Sequence, residues 1–126
     1  MLVDSTIYID WLRRGEDLAF VLKPYLISDQ LFVCGMVRAE VLRGIRSIKL
    51  RDEISDLFDL MKEIRTDAQL WQKVATLAWT LDRRGIVLPM ADLVIAGCAL
   101  EANLSVVTTD PLFAQIPGLK VKKSLT

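Results

Sequence analysis

Four acidic residues stand where a protein could use them for chemistry. Asp4 and Asp110 each follow a short apolar run that is typical of a buried strand, whereas Glu40 and Asp92 lie in early turns of predicted helices. In a parallel sheet, the carboxyl ends of the strands and the amino ends of the following helices meet at one edge. We therefore predict that the four carboxylates converge.

Carboxylates gathered in this way repel one another. Two like unit charges about 4 Å apart cost roughly 4 kcal/mol at an effective dielectric near 20. A divalent cation removes this cost, and a site made of oxygen ligands favours Mg²⁺ or Mn²⁺ over zinc. Such a cation, with water in its shell, is suited to phosphodiester hydrolysis. The alternative for each acid is structural, because aspartates cap turns and the helix dipole favours acids in first turns.

The elements that would position these acids can be predicted from the apolar pattern. Met1 to Val3 predicts a strand that ends at Asp4, and Ser5 or Thr6 is expected to cap the helix that follows. Three further elements carry the other acids: a second strand at Leu31–Cys34 before the Glu40 helix, an apolar helix at Met90–Asn103 opened by Pro89, and a strand at Leu104–Thr108 that runs into Asp110.

The remaining segments complete an alternation of strands and helices. They are a helix over Glu16–Leu26, two amphipathic helices over Ile54–Ile64 and Leu70–Leu81 that form an antiparallel pair joined near Arg65–Asp67, and an edge strand at Leu119–Lys122. Gly44 is placed in mid-helix, and Trp71 and Trp79 are expected in core or subunit packing. The order predicts one α/β domain over residues 1–126, with a mainly parallel sheet covered by helices on both faces.

Composition removes several classes of function. The chain has no histidine, which excludes Ser-His-Asp and Cys-His catalysis, two-histidine ribonuclease chemistry and nearly every catalytic zinc site. It also lacks a glycine-rich phosphate loop. The 16 basic and 16 acidic residues balance, and Cys34 and Cys98 lie in apolar runs as expected of buried thiols. Without a signal-peptide pattern or a long apolar run, we expect a cytoplasmic protein with no membrane segment.

An ordered set of motifs covers nearly the whole chain. It consists of Leu-Val-Asp4-Ser-Thr, Glu40-Val-Leu-Arg-Gly, Asp92-Leu-Val-Ile-Ala-Gly and Val-Val-Thr-Thr-Asp110. In this order and spacing the set resembles a PIN-domain ribonuclease of the VapC toxin type. The resemblance implies a three-layer α/β/α fold with a largely parallel sheet of about five strands. It also implies RNA cleavage dependent on Mg²⁺ or Mn²⁺, a homodimer, and a cognate antitoxin protein.

The resemblance also assigns roles to individual residues. Asp4, Glu40, Asp92 and Asp110 match the family's metal-binding and catalytic acids, while Ser5, Thr6 and Thr109 match hydroxyls that support them. Many relatives carry a further acid just before an aromatic residue. Here that position, before Phe113, is Leu112, which leaves one ligand fewer for a second metal ion.

Basic residues near the acids are candidates for RNA contact. One set lies near the Glu40 helix (Arg38, Arg43, Arg46, Lys49 and Arg51), and a second follows the first helix (Arg13 and Arg14). Both sets could hold phosphates around an acidic pocket, although a run of charges also describes a solvated face. The resemblance makes the apolar helix pair from Ile54 to Leu81 a candidate seat for the antitoxin or the dimer contact.

Two other functions are compatible with strand-end acids. A phosphoacceptor receiver domain also binds Mg²⁺, but it needs an acceptor aspartate ending a central strand and a lysine ending a late strand. In this chain the late strand ends in Asp110, and residues 51–64 have a helical pattern. The second alternative is a PIN fold used only to bind proteins, and the presence of all four acids argues against it.

Overall fold

The computed structural model describes the whole chain, from Met1 to Thr126. Five strands and six α-helices alternate along it. In chain order they are β1 (Leu2–Val3), α1 (Ser5–Arg13), α2 (Leu18–Ile27), β2 (Phe32–Cys34), α3 (Gly35–Arg43), α4 (Ile48–Asp59), β3 (Lys62–Ile64), α5 (Ala68–Arg83), α6 (Met90–Glu101), β4 (Ser105–Val107) and β5 (Lys120–Lys122), with a 3₁₀ turn at Pro111–Gln115 before the last strand.

The strands form one parallel sheet in the order β3-β2-β1-β4-β5. The first strand is central: Leu2 is paired with Phe32 on one side and with Val106 on the other. Neighbouring parallel strands need crossover connections, and here each connection contains helical residues. The predicted α/β fold with a parallel sheet of about five strands is confirmed, and the strand predicted at Leu119–Lys122 lies at the edge as β5.

The predicted helix at Ile54–Ile64 is wrong at both ends. The helix α4 begins at Ile48, where the Ser47 hydroxyl accepts a hydrogen bond from the Leu50 N–H at 3.2 Å, and it ends at Asp59. Residues Lys62–Ile64 form the edge strand β3 instead. Ile64 is the one apolar residue of this short strand, and it continues the helical spacing of Phe58 and Met61, which is why the pattern misled. The expected helical hairpin therefore does not exist, because β3 separates α4 from α5.

The buried helix α6 packs against α5 at a close approach. Seven consecutive residues, Leu93–Ala99, are buried, as predicted from the apolar pattern of this helix. A Cβ on Gly97 would lie 2.8 Å from Cγ2 of Val74, so only glycine lets the two helices come this close. No helix in the structure has the length and apolar character that a membrane crossing requires.

Most side chains that the apolar pattern predicts to be buried are buried in the structure, but two on α5 are not. Leu70, Val74 and Leu81 face the core, but Trp71 and Trp79 are 45% and 60% exposed. These tryptophans lie outside the buried stripe of their helix, so of the predicted core or subunit packing the core alternative is wrong and subunit packing stays a prediction. Cys34 and Cys98 are buried free thiols, as expected.

Candidate active site

Asp4 is fixed at the carboxyl edge of the central strand. Its backbone N–H donates to the carbonyl of Val107 at 2.9 Å, which ties it to β4. The residue occupies the N-cap position of α1 in an extended conformation, yet its side chain makes no capping hydrogen bond. The prediction that Ser5 or Thr6 caps this helix is wrong, because both are already helical. The Asp4 carboxylate is therefore free of the capping role and is directed to other partners.

Those partners are hydroxyl groups. The side chain is buried, with 1% of the residue exposed, and its Oδ2 accepts hydrogen bonds from Thr6 Oγ1 at 2.6 Å and Thr108 Oγ1 at 2.9 Å. Buried charge is tolerated only where such donors compensate for the lost water. The other oxygen, Oδ1, has only the distant Ser5 Oγ at 3.5 Å. Asp4 thus has one oxygen held by the protein and one with capacity for another ligand.

Glu40 joins the cluster through the same serine. Ser5 Oγ donates to Glu40 Oε1 at 2.9 Å, across 35 residues of sequence. Glu40 can reach this point because α3 begins directly after β2, with Cys34 in the N-cap position. The contact forms because strand ends and early helical turns share one edge of the sheet, as expected from the sequence.

Asp110 is linked to Asp4 by Thr108. The Thr108 hydroxyl that donates to Asp4 also accepts a hydrogen bond from the Asp110 N–H at 3.0 Å. In turn, Asp110 Oδ1 accepts from the Leu112 N–H at 2.9 Å and caps the 3₁₀ turn. Thr109 is exposed, and its side chain makes no hydrogen bond. The supporting hydroxyl predicted at Thr109 therefore belongs to its neighbour, Thr108, which is buried.

Asp92, the third residue of α6, completes the group. Burial, followed by the negative charges of Asp4, Asp110 and Glu40 in that order, raises the pKa of its carboxyl to about 6. Charges affect a pKa in this way only when they lie close by. The structure thus brings together all four acids that the sequence singled out.

The four carboxylates lie near one another without forming a closed cage. No group of three acidic or thiol side chains is arranged as a ready-made metal site, so a cation would have to draw the carboxylate oxygens together. The donor set nevertheless fits a hard divalent cation, because it consists of oxygens alone. The pKa of Asp92 is raised by burial first and by the three neighbouring negative charges second, and a cation would relieve the second effect.

The arginines predicted to contact RNA separate into three groups. Arg13, Arg43 and Arg46 line an open groove of about 540 Å³ together with Glu40. Arg14 does not reach this groove and pairs with Asp10 at 3.1 Å. Lys49 and Arg51 also lie outside it, on the exposed surface of α4.

Arg38 forms the third group and has a structural role. Its guanidinium bonds to Asp59 at 2.9 Å and Glu63 at 3.0 Å, and it lies over the Phe58 ring. Five residues of helix turn the side-chain direction by about 140°, which places Arg38 and Arg43 on different faces of α3. The structure therefore contradicts the expectation that Arg38 is available to RNA.

A comparison with protein families decides the classification. The model of the PIN domain matches residues 1–119. The chain belongs to the PIN-domain family. The motif resemblance is thereby confirmed, and the receiver-type alternative is excluded.

Solved structures share the fold of this PIN domain. A VapBC2 structure from Rickettsia felis, bound to a DNA fragment from its promoter, matches with a TM-score of 0.78 at 21% identity over 96% of both chains. DNA-bound VapBC from Salmonella typhimurium matches with a TM-score of 0.79 at 19% identity over 96% of this chain and 95% of that one. VapBC-1 from nontypeable Haemophilus influenzae gives 0.73 at 20%, with the same coverage. No curated protein matches the sequence.

Sequence reasoning missed Thr108 as a site residue of this PIN domain. The Val-Val-Thr-Thr-Asp run contains two adjacent threonines, and side chains of an extended segment alternate between opposite faces. Choosing between them requires knowing the face on which each falls. The alternation does contain a signal for Thr108, because it lies two residues after Val106 and both are buried. The signal could not be used with certainty, because the last residue of a strand is hard to assign from sequence.

Proposed function

We propose that this PIN domain is an endoribonuclease that depends on Mg²⁺ or Mn²⁺, and that it acts in the cytoplasm as the toxin of a toxin–antitoxin pair. The observation that carries the proposal is the convergence of four carboxylates, expressed in the pKa of Asp92, which is raised by burial and by the other three acids. In a chain without histidine, such a cluster is the one arrangement of acids suited to hydrolytic chemistry.

Asp4, Glu40, Asp92 and Asp110 would hold the cation. When bound, it would supply electrostatic stabilisation of the phosphodiester's developing charge and lower the pKa of a water molecule. The protein's own part is positional. Thr6 and Thr108 fix one oxygen of Asp4, and Ser5 fixes one oxygen of Glu40, which leaves the other oxygen of each carboxylate to bind a cation.

Two observations support an antitoxin partner: the solved structures that share this fold, and a second groove on the chain. Several solved structures with this fold are VapBC or other toxin–antitoxin complexes. On this chain, a groove between α1, α2 and α4 has an apolar floor that includes Leu18, Ile54 and Leu57. Its rim is acidic (Glu16, Asp17, Glu53 and Asp56). We assign it to an amphipathic antitoxin helix with a basic edge.

The homodimer remains part of the proposal. The exposed Trp71 and Trp79 on α5 offer apolar surface that a contact between two copies would cover. Sedimentation of the purified chain would give its mass directly. A dimer that Trp79→Glu converts to a monomer supports this surface, and a monomeric unmodified chain removes the dimer from the proposal.

The activity is tested by incubating a mixed RNA pool with the purified chain, freed of co-purifying protein, in Mn²⁺ or in EDTA. The Asp92→Asn protein is run alongside after circular dichroism shows that it is folded. Discrete fragments that appear only with metal, and only for the unmodified protein, support the nuclease. Equal cutting by both proteins, or cutting in EDTA, would mean that the activity is a contaminant. Metal-dependent stabilisation without any cutting would favour the PIN fold as a binding module.

A further inference from the structure

Two grooves of similar size adjoin each other on this chain and carry opposite charge. They share Leu12 and Leu50 in their linings. One is the acid-rimmed groove between α1, α2 and α4 described above. The other contains Arg13, Arg43 and Arg46, and its only acid is Glu40 of the carboxylate cluster. A polyanion is repelled from the first groove and attracted to the second.

The three arginines of the second groove have no ion-pair partner. The basic residues that do form ion pairs are Arg14, Arg38, Arg51, Lys62 and Lys73. The groove arginines are not among them and keep their full charge. All three are exposed. Arg13 and Arg43 stand in the last turns of α1 and α3, and Arg46 lies in the connection from α3 to α4. Two helix ends and a loop thus present cations to one space.

The connection between α3 and α4 opens that space. The helix α3 ends at Arg43, and Gly44 is its C-cap rather than a mid-helix residue as predicted. Its missing side chain leaves room, since the nearest atom to an added Cβ is 3.7 Å away. Ser47 then starts α4 by accepting a hydrogen bond from the Leu50 N–H. Apart from the three arginines and Glu40, Ser47 is the one polar side chain that lines the groove.

The apolar part of the groove lining is aliphatic. It is formed by Ile9, Leu12, Val41, Ile45 and Leu50, and no aromatic side chain lines the groove. An aliphatic wall can cover the face of an unstacked base but cannot hydrogen-bond to its edge. A duplex would keep its bases stacked and paired, away from this wall.

We propose that this groove is the binding path for a single-stranded RNA segment leading to the carboxylate cluster, with Arg13, Arg43 and Arg46 holding successive phosphates and the aliphatic wall covering bases without reading their sequence. The inference rests on the proposed ribonuclease function and names where its substrate lies. It follows that binding here depends strongly on salt and weakly on base identity.

The test measures fluorescence anisotropy of a labelled 12-nucleotide RNA of mixed sequence, in Mg²⁺, on the Asp92→Asn protein, with RNA integrity checked on gels. For single strands, each phosphate contact contributes about 0.7 to the slope of log K against log salt. We expect Arg13→Gln/Arg46→Gln to reduce that slope by about 1.4, and affinity at 0.1 M salt by about 25-fold. The control, Lys23→Gln/Arg84→Gln, removes the same charge from exposed sites outside the groove.

The outcomes separate this inference from the nuclease proposal. If the groove variant and the control bind RNA equally while the unmodified protein still cleaves, the path is elsewhere and the nuclease stands. If the unmodified protein cleaves nothing but RNA binding falls as expected in the groove variant, the groove is confirmed without the activity. Binding of a poly-glutamate peptide in preference to RNA, lost in the same variant, would assign the groove to an acidic protein segment and overturn the inference. A duplex RNA that binds as tightly as the single strand would also contradict it.

Discussion

Replacing Asp92 with asparagine should stabilise the metal-free protein at neutral pH. Burial and three neighbouring acids raise the pKa of this carboxyl from 3.8 to about 6 in the folded state. A group with a raised folded-state pKa binds its proton more tightly when folded, so its ionisation opposes folding. The cost is absent below about pH 4, grows between pH 4 and 6, and is complete above pH 6.

The size of the effect follows from the shift and the exposure. A shift of about two units in a fully buried group corresponds to roughly 3 kcal/mol. Asp92 is only partly buried, and solvent screening reduces the figure, so we expect about 1 kcal/mol. For a domain of this length that free energy corresponds to about 4 °C in Tm. Asp92→Asn should therefore melt about 4 °C higher than the unmodified protein at pH 7.5 in EDTA, and at the same temperature at pH 4.

The assay is thermal unfolding followed by circular dichroism in EDTA, from pH 4 to pH 8. The matched control is Asp56→Asn, which removes the same charge from an exposed position on α4. It should change Tm by less than about 2 °C at every pH. If the Tm of Asp92→Asn rose no more than that of this control at pH 7.5, or rose as much at pH 4, ionised Asp92 would not be destabilised by burial and the neighbouring acids, and the prediction would be wrong.

Three further perturbations test other parts of the structure. Thr108→Val removes a buried hydroxyl that serves two partners and should cost about 1–3 kcal/mol in urea unfolding, whereas Thr109→Val should stay within about 0.5 kcal/mol; equal effects would contradict the assignment. Gly97→Ala would press a Cβ against Val74 and should cost about 1–3 kcal/mol, so an unchanged unfolding midpoint would mean that α5 and α6 pack less closely. Arg38→Gln should leave RNA affinity unchanged and lower stability by about 1 kcal/mol or less, because its ion pairs are exposed; a loss of RNA binding would restore it as a contact.

Much of the candidate site could be predicted from the sequence. The four acids could be grouped because each follows a strand or opens a helix, and a parallel sheet brings such positions to one edge. The hydroxyl groups that bind these acids were harder to predict. Ser5 and Thr6 sit next to Asp4 in sequence, but the contact from Thr108 spans 104 residues and depends on which face of an extended segment it occupies.

The prediction of the fold succeeded where apolar runs were long and failed where they were short. The helix α6 stood out because it is apolar nearly all round. The edge strand β3 did not, since two of its three residues, Lys62 and Glu63, are exposed and its spacing from α4 is helical. Trp71 and Trp79 were assigned to core or subunit packing because large apolar side chains suggest burial. Only the packed structure shows that both lie outside the stripe of α5 that is buried.

The claim that the four carboxylates form one cation site is tested most directly by titrating Mn²⁺ into the protein and measuring free Mn²⁺ by electron paramagnetic resonance. We predict that the unmodified chain binds Mn²⁺ in competition with Mg²⁺. Asp92→Asn should bind Mn²⁺ at least tenfold more weakly, and Asp56→Asn should bind it like the unmodified chain. Equal affinity in Asp92→Asn and the unmodified chain would contradict the account, because Mn²⁺ would then be held somewhere other than among these acids.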